Sequence, residues 1–351
     1  MLRQTATIQN QWLILIVLSF LKLPGFCEST PSVTVEWKLS TPLPEPRAGY
    51  AAGVLNGKLI IAGGSYWEGQ KGKWIRKLYT IRTHSFNPTT GDWEQLPDMP
   101  RALGYGASVV VGDRLYVLGG YTGKEESRKV YALESREKGY RWTELADLPG
   151  PRLFTKAVRV GESVFLLGGV TRFEPYDSSG TCCTSKSATR DLMFLDTLQP
   201  QKGWQRLPSF PGPKRWLFCA ETDGKSIWML GGIDQELANG PTIEYEDVWR
   251  YDLRYKTWTR MALLPQEIRG TTPLSSMMLE GRLLIFSFAK KVWEFNLATQ
   301  RFGQISPLPE EVFVDQFFWL DDRIIGTGGE NKLEGPRRRS AWTFVGRFAE
   351  R

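Results

Sequence analysis

The chain has one histidine, His84, and four cysteines among its 351 residues. Histidine is the commonest metal ligand, and a single one cannot build a multi-histidine metal site. The residues therefore point to no metal and no cofactor. His84 stands in "YTIRTHSFNP", which reads as an outer strand, where packing is its ordinary role. A Ser-His-Asp set is missing too, as is a phosphate-cradling glycine loop that opens a helix; the glycine pairs here end one strand and open onto another. Nucleic acid is a poor partner for this chain. The net charge of +7 falls to +5 once Arg3 and Lys22 are set aside, and much of the excess sits in "GPRRRS". No Lys/Arg tract alternates with stacking aromatics.

Long apolar runs are nearly absent. The exception is "WLILIVLSFL", Trp12 to Leu21, with Arg3 before it and "LPGFC" after it. This is of signal-peptide length and short for a membrane span. Residues 1–27 are expected to be a signal peptide cleaved after Cys27, with a lipid anchor on Cys27 as the alternative, and 28–351 to be one domain, exported to the periplasm or secreted. No later segment reads as transmembrane, so no membrane association is expected after cleavage. Cys182, Cys183 and Cys219 then remain, and in an oxidising compartment one pair can bridge. "SSGTCCTSKS" sits in a long insertion, where a disulfide would tie a loop.

What the chain has in quantity is paired glycine. "KLIIAGGSYW", "RLYVLGGYTG", "SVFLLGGVTR", "SIWMLGGIDQ" and "RIIGTGGENK" each end an apolar run at a double glycine. Four of the five precede a tryptophan unit: "GDWEQLPDMPR", "YRWTELADLPGPR", "KGWQRLPSFPGPKR" and "KTWTRMALLPQEIR". A worn copy, "GRLLIFSFAKKVWEFN", has Phe286-Ser287 for the glycines and Phe302 for the tryptophan. The steps run from 42 residues (286 to 328) to 63 (168 to 231), the spacing of kelch-type propeller blades of four strands each. Short apolar runs bounded by Gly and Pro are strands. Two glycines at a strand end allow positive φ and close backbone approach. A single four-stranded sheet cannot bury both faces, whereas several packed around an axis can.

The last copy lacks a following tryptophan unit, and the missing one, "VEWKLSTPLPEPR" with Trp37, stands at the other end. The expected fold is all-β: a six-bladed kelch-type β-propeller whose last blade is closed by the N-terminal strand. Closure of this kind removes edge strands that would otherwise template aggregation.

Five blades begin after a proline-containing turn with a basic residue: Arg47, Arg101, Arg152, Arg215 and Arg269. First strands line a propeller's channel, so equivalent positions should face one opening. Grouped guanidiniums would bind a carboxylate bidentately, making these five candidate substrate-binding residues. The competing reading ties each arginine to neighbouring carbonyls or acids as part of the repeat.

One blade departs from the rest. In "GGENKLEGPRRRSAW" the double glycine is followed at once by Glu330, then by a basic loop. With this segment, Gly329-Glu330, Lys332 and Arg339-Ser340, the chain resembles the six-bladed kelch mutarotases, the sialic-acid (N-acetylneuraminate) epimerase group and its cyclically permuted relatives. The resemblance implies Glu330 and Arg339 as catalytic residues, with Arg338 in place of Arg339 if the loop is aligned one residue shorter. It implies anomer interconversion of a sialic-acid-like substrate, a small anionic sugar, without metal or cofactor. Mutarotation needs a base for the anomeric proton and an acid for the ring oxygen, and a partly buried carboxylate can serve as either. A non-catalytic kelch module with a protein or glycan partner is the alternative. A sialidase should show Ser-x-Asp-x-Gly-x-Thr-Trp turns, and none occurs.

Overall fold

The computed structural model describes residues 34–70, 73–172, 187–235, 241–269, 274–331 and 338–349. The signal-peptide segment 1–27, Cys182, Cys183, Lys332 and Arg337 lie outside the described residues. The described residues form six four-stranded antiparallel sheets. Blade 1 holds Ala51–Leu55, Lys58–Ala62, Thr83–Phe86 and Trp93–Leu96. Blade 2 holds Ala107–Val111, Arg114–Tyr121, Glu126–Arg136 and Gly139–Leu145. Blade 3 holds Lys156–Val160, Ser163–Leu167, Leu192–Asp196 and Gln205–Leu207. Blade 4 holds Cys219–Thr222, Ser226–Leu230, Asp247–Asp252 and Thr257–Leu263. Blade 5 holds Leu274–Leu279, Arg282–Ser287, Val292–Asn296 and Arg301–Ile305. Blade 6 holds Phe317–Leu320, Arg323–Thr327 and Thr343–Phe348, and Val35–Ser40 is its fourth strand, paired from Val35↔Phe348 to Ser40↔Thr343. His84 lies on the third strand of blade 1 rather than the outermost, and it is buried. No helix among the described residues is long and apolar enough to cross a membrane.

The core lies between adjacent sheets. Leu43, Tyr50, Ile61 and Phe86 pack with Ile325 where blades 6 and 1 meet. Leu118, Val130, Val164 and Leu166 do the same for blades 2 and 3. The double glycines set how closely the sheets approach. Gly63 has φ +66°, and a Cβ there would lie 2.5 Å from the carbonyl oxygen of Leu103 in the approach to blade 2. Its neighbour Gly64 donates its N–H to that same oxygen at 2.8 Å. The contact recurs at two further junctions: Gly120 N–H donates to Arg152 O at 2.7 Å, and Gly329 N–H to Arg47 O at 2.8 Å.

The tryptophans form a second set of ties. On the outer strand each indole N–H reaches back to the exit loop of the preceding blade. Trp93 donates to Thr41 O (3.1 Å), Trp142 to Pro97 O (2.9 Å), Trp258 to Pro208 O (3.1 Å) and Trp37 to Ser306 O (3.2 Å). The worn copy is repaired by aromatics. Phe286 stacks on Phe317 with ring centroids 3.8 Å apart, and Trp37 meets both edge-on at 6.3 and 6.4 Å.

Two substitutions separate these ties. Trp142→Phe keeps most of the wedge but loses the donor, and should cost about 0.5–1.5 kcal/mol, the net worth of one hydrogen bond. Gly63→Ala forces a side chain into positive φ and against a carbonyl, and should cost about 2 kcal/mol or more. Urea unfolding measures both; a Gly63→Ala protein as stable as Trp142→Phe would contradict the close-approach role of the glycine.

Candidate functional site

The inner strands enclose a central channel. A cavity of about 450 Å³ runs along it, with lining from every blade: Gly53, Ser108, Lys156, Glu221, Ser276 and Asp315 are one residue from each. Hydrogen bonds between inner strands hold its wall. Ser108 Oγ donates to Ala52 O and accepts from Ala52 N–H, both at 2.9 Å, and Ser276 Oγ donates to Glu221 Oε1 at 2.8 Å.

Glu330 and Arg339 come together beside the approach to blade 6, where Glu330 bridges Phe313, two residues before the channel-lining Asp315. They are opposite each other in a short hairpin, Glu330–Asn331 against Arg338–Arg339, built directly on Gly329. Arg339 is buried and every arm of its guanidinium is engaged. Nη1 donates to Glu330 Oε1, Nε to Ser65 O at 3.1 Å, and Nη2 to Ser65 Oγ and the Tyr105 hydroxyl, both at 3.0 Å. Burial works against its charge, but Tyr105, Glu330 and Asp315 around it more than offset this and hold its pKa above the ordinary value. The Glu330 side chain keeps 28% of its surface. Arg338 pairs through its backbone with Asn331.

Asp315 and Glu221 are carboxyls that sequence reasoning did not single out. Each stands alone in an ordinary inner-strand context, and only the ring brings them to a common channel. Burial pushes Asp315 up to about 6; the Gly49 N–H, donating to Oδ2 at 2.9 Å, opposes this, and the Glu330 charge adds to it. Burial pushes Glu221 up to about 7 against its Ser276 hydrogen bond and the Lys156 charge. Both line the channel and are half-buried. Both are poised to exchange protons near neutrality.

The arginines of the blade turns are placed differently from the expectation that they line one opening. Three are anchors inside their own blades. Arg47 is wholly buried; its Nη1 donates to Gly63 O at 3.2 Å and Arg82 O at 2.9 Å. Its Nη2 lies 2.8 Å from His84 Nδ1, which therefore accepts, and burial followed by the Arg47 charge lowers the His84 pKa. Arg215 reaches Gly231 O at 3.1 Å and pairs with Asp247. Arg152 pairs with Asp191 at 2.8 Å. Arg101 is half-buried and pairs with Glu125; buried Leu103 takes the anchor position in blade 2, two residues further on. Arg269 pairs with Glu246 at 3.3 Å and donates to Leu264 O at 2.8 Å. The physical reason is common to the buried three: a guanidinium inside a blade must satisfy its donors, and the carbonyls and acids at the start of the third strand are closest. The acids before those strands, in "RDLMFLD" and "EYEDVWRYD", were the available signal. Cys219 is a free, buried thiol whose Sγ lies 3.1 Å from Leu274 O.

The chain is thus a kelch-type six-bladed propeller. The Kelch motif model matches residues 46–100 and 102–149, which cover blades 1 and 2. The chain resembles the N-acetylneuraminate epimerases. It is 28% identical to that of Vibrio vulnificus over 38% of this chain and 36% of the relative. It is 31% identical to that of Vibrio cholerae over 28% of this chain and 30% of the relative. It is also 32% identical to human Kelch-like protein 31, over 24% of this chain and 13% of that protein. The matches span about a third or less of the length of these relatives.

The channel carboxyls give the fold a defined pH dependence. Asp315 and Glu221 bind protons more tightly in the folded chain than in the unfolded one, because their folded values of about 6 and 7 exceed ordinary carboxylate values. The folded state therefore holds protons that the unfolded state has lost, and their contribution to stability is present at low pH and fades as pH rises through 6 and 7. Glu221→Gln removes one of the two. Its melting temperature should gain on wild type as pH rises from about 5 to 8; parallel curves for the two proteins would contradict the assignment.

Proposed function

We propose that the protein is an exported sugar-acid mutarotase, accelerating anomer interconversion of a sialic-acid-like substrate at the Glu330 end of the channel. The observation that carries this reading is the Glu330–Arg339 pair: a partly exposed carboxylate held by a buried guanidinium at the junction of blades 6 and 1. The names of the Vibrio relatives support the substrate class.

The chemistry asks for two proton transfers. One group takes the anomeric hydroxyl proton as the ring opens, and another protonates the ring oxygen. Glu330 is the group able to reach substrate, and Arg339 fixes its orientation while bonded to Ser65 and Tyr105 in the blade 1–blade 2 region. Asp315, raised to about 6 and coupled to Glu330, is the neighbouring carboxyl able to carry the second proton. On recyclisation the roles reverse, so both groups end as they began and no cofactor takes part.

Glu330→Gln keeps shape and hydrogen bonding but cannot exchange a proton. It should slow interconversion by about 10² to 10⁴-fold, the usual contribution of a general acid/base, while ligand binding persists. NMR of freshly dissolved N-acetylneuraminate, following both anomers with and without protein, reads the rate. Equilibration no faster with wild type than in buffer removes this substrate. Neither acceleration nor binding with several carboxylated and neutral sugars would turn the reading to a kelch module with a protein partner. Export has its own measurement: the native protein should begin near Glu28, and an N-terminal sequence starting at Met1 would contradict it.

A further inference from the structure

The channel contains a cation that the mutarotase reading leaves unused. Two basic residues border the cavity, Lys156 and Arg159. Arg159 is exposed and occupied, with Nε donating to Gly161 O at 2.7 Å and Nη2 3.4 Å from Glu162. Lys156, the first residue of the inner strand of blade 3, has no hydrogen bond or ion pair to the described residues. Its charge nonetheless acts on three groups at once: Asp315 of blade 6 across the channel, and Cys219 and Glu221 of blade 4 beside it. Lys156 lines the cavity together with Asp315 and Glu221. The rival cations are occupied elsewhere: Arg47, Arg152 and Arg215 within their blades, and Arg339 on Glu330, Ser65 and Tyr105.

We propose that Lys156, rather than any blade-turn arginine, holds the carboxylate of the ligand inside the central channel, and so sets the preference for acidic over neutral sugars. The inference rests on the sugar-acid reading for its ligand class and adds the residue that selects it. An ammonium without a protein partner in a polar channel is left to water or an anion, and a ligand carboxylate supplies a charge-assisted hydrogen bond. Gln316, whose Nε2 is 3.4 Å from Ser108 Oγ, and Ser276 supply neutral polar groups in the same cavity. Below about pH 6 the two channel carboxyls are largely protonated, because burial raises Asp315 to about 6 and Glu221 to about 7, and there they do not repel the anion. In that protonated form each can donate toward a ligand oxygen.

The test is calorimetric titration of N-acetylneuraminate and of its methyl ester, which carries no charge. Wild type should bind the acid more tightly than the ester. Lys156→Gln should weaken acid binding by about tenfold to a hundredfold, the range for a hydrogen bond to a charged group, and leave ester binding within about twofold, erasing the preference. Lys156→Arg should retain most of it. Lys58→Gln removes an equal charge from the exposed Lys58–Glu94 pair and should change nothing. Melting curves check that each variant is folded. An acid-over-ester preference that survives in Lys156→Gln overturns the proposal. So does a wild type that binds acid and ester equally, or one that binds neither N-acetylneuraminate nor the small carboxylates pyruvate and lactate at millimolar concentration. A Lys156-dependent preference in a protein that does not accelerate anomer exchange would sustain this inference while the catalytic reading fell.

Discussion

Half of the ring's junctions depend on one backbone contact, repeated where blade 6 meets blade 1, blade 1 meets blade 2 and blade 2 meets blade 3. The second glycine of a pair donates its N–H to a carbonyl in the approach to the next blade, as Gly64 does to Leu103, Gly120 to Arg152 and Gly329 to Arg47. The first glycine has no side chain because that same carbonyl lies where a Cβ would be. The carbonyl in turn belongs to the anchor position whose side chain locks its own blade: Arg47 onto Gly63 O and Arg82 O, and at the equivalent place in blade 4 Arg215 onto Gly231 O. Glycine pair and arginine are thus parts of one device. The backbone joins a blade to its predecessor, and the guanidinium joins the approach segment to the blade behind it. Where the glycines are lost, at Phe286-Ser287, the stack on Phe317 replaces a polar tie with buried aromatic area.

The placement of the Glu330–Arg339 pair follows from that device. The pair rises from Gly329, the residue that joins blade 6 to blade 1, and Arg339 then crosses the same junction to Ser65. Blade 6 is itself completed by the N-terminal strand. The residues bearing the proposed chemistry are therefore fixed at the point where the two ends of the chain meet. A loosened closure would move Glu330 and its guanidinium partner together, so stability of the ring and geometry of the site are coupled.

The repeat could be read from the sequence because its determinants are local. A double glycine, a tryptophan and a proline-bounded turn recur in phase, and each acts on the backbone within a few residues or on the adjacent blade. Glu330 and Arg339 were legible as an anomaly in that repeat, the one blade where a charge follows the glycines directly. The direction of the arginines was not legible. Position in a ring repeat fixes height, but where a long side chain points depends on which acceptor is nearest. Those acceptors, Asp191, Asp247 and the Arg82 carbonyl, lie about 30 to 40 residues downstream of their arginines. Arg101 shows the same limit from another side: it follows a proline as Arg152 does, yet Leu103 holds the anchor position and Arg101 pairs with Glu125 instead. Lys156, Glu221 and Asp315 carry no motif at all; three distant inner strands had to converge before they became neighbours.

The arrangement divides permanent charge from exchangeable protons. Guanidiniums keep their charge at any ordinary pH, and here they lie where that charge can be met by fixed carbonyls and acids within or between blades. The channel instead holds a lysine and two carboxyls. An enclosed carboxylate lacking a strong partner resolves its desolvation by binding a proton, and Asp315 and Glu221, raised to about 6 and 7, do so near neutrality. A ligand in the channel would thus meet groups that can donate or accept, and one cation with no competing protein anion in contact. Had the arginines lined the opening, they would have offered strong carboxylate binding but no proton exchange, and the blades would have lost their anchors. The same guanidinium cannot satisfy a blade interior and wait for a ligand; the fold uses arginine for the first task, and the proposed carboxylate site falls instead to a lysine.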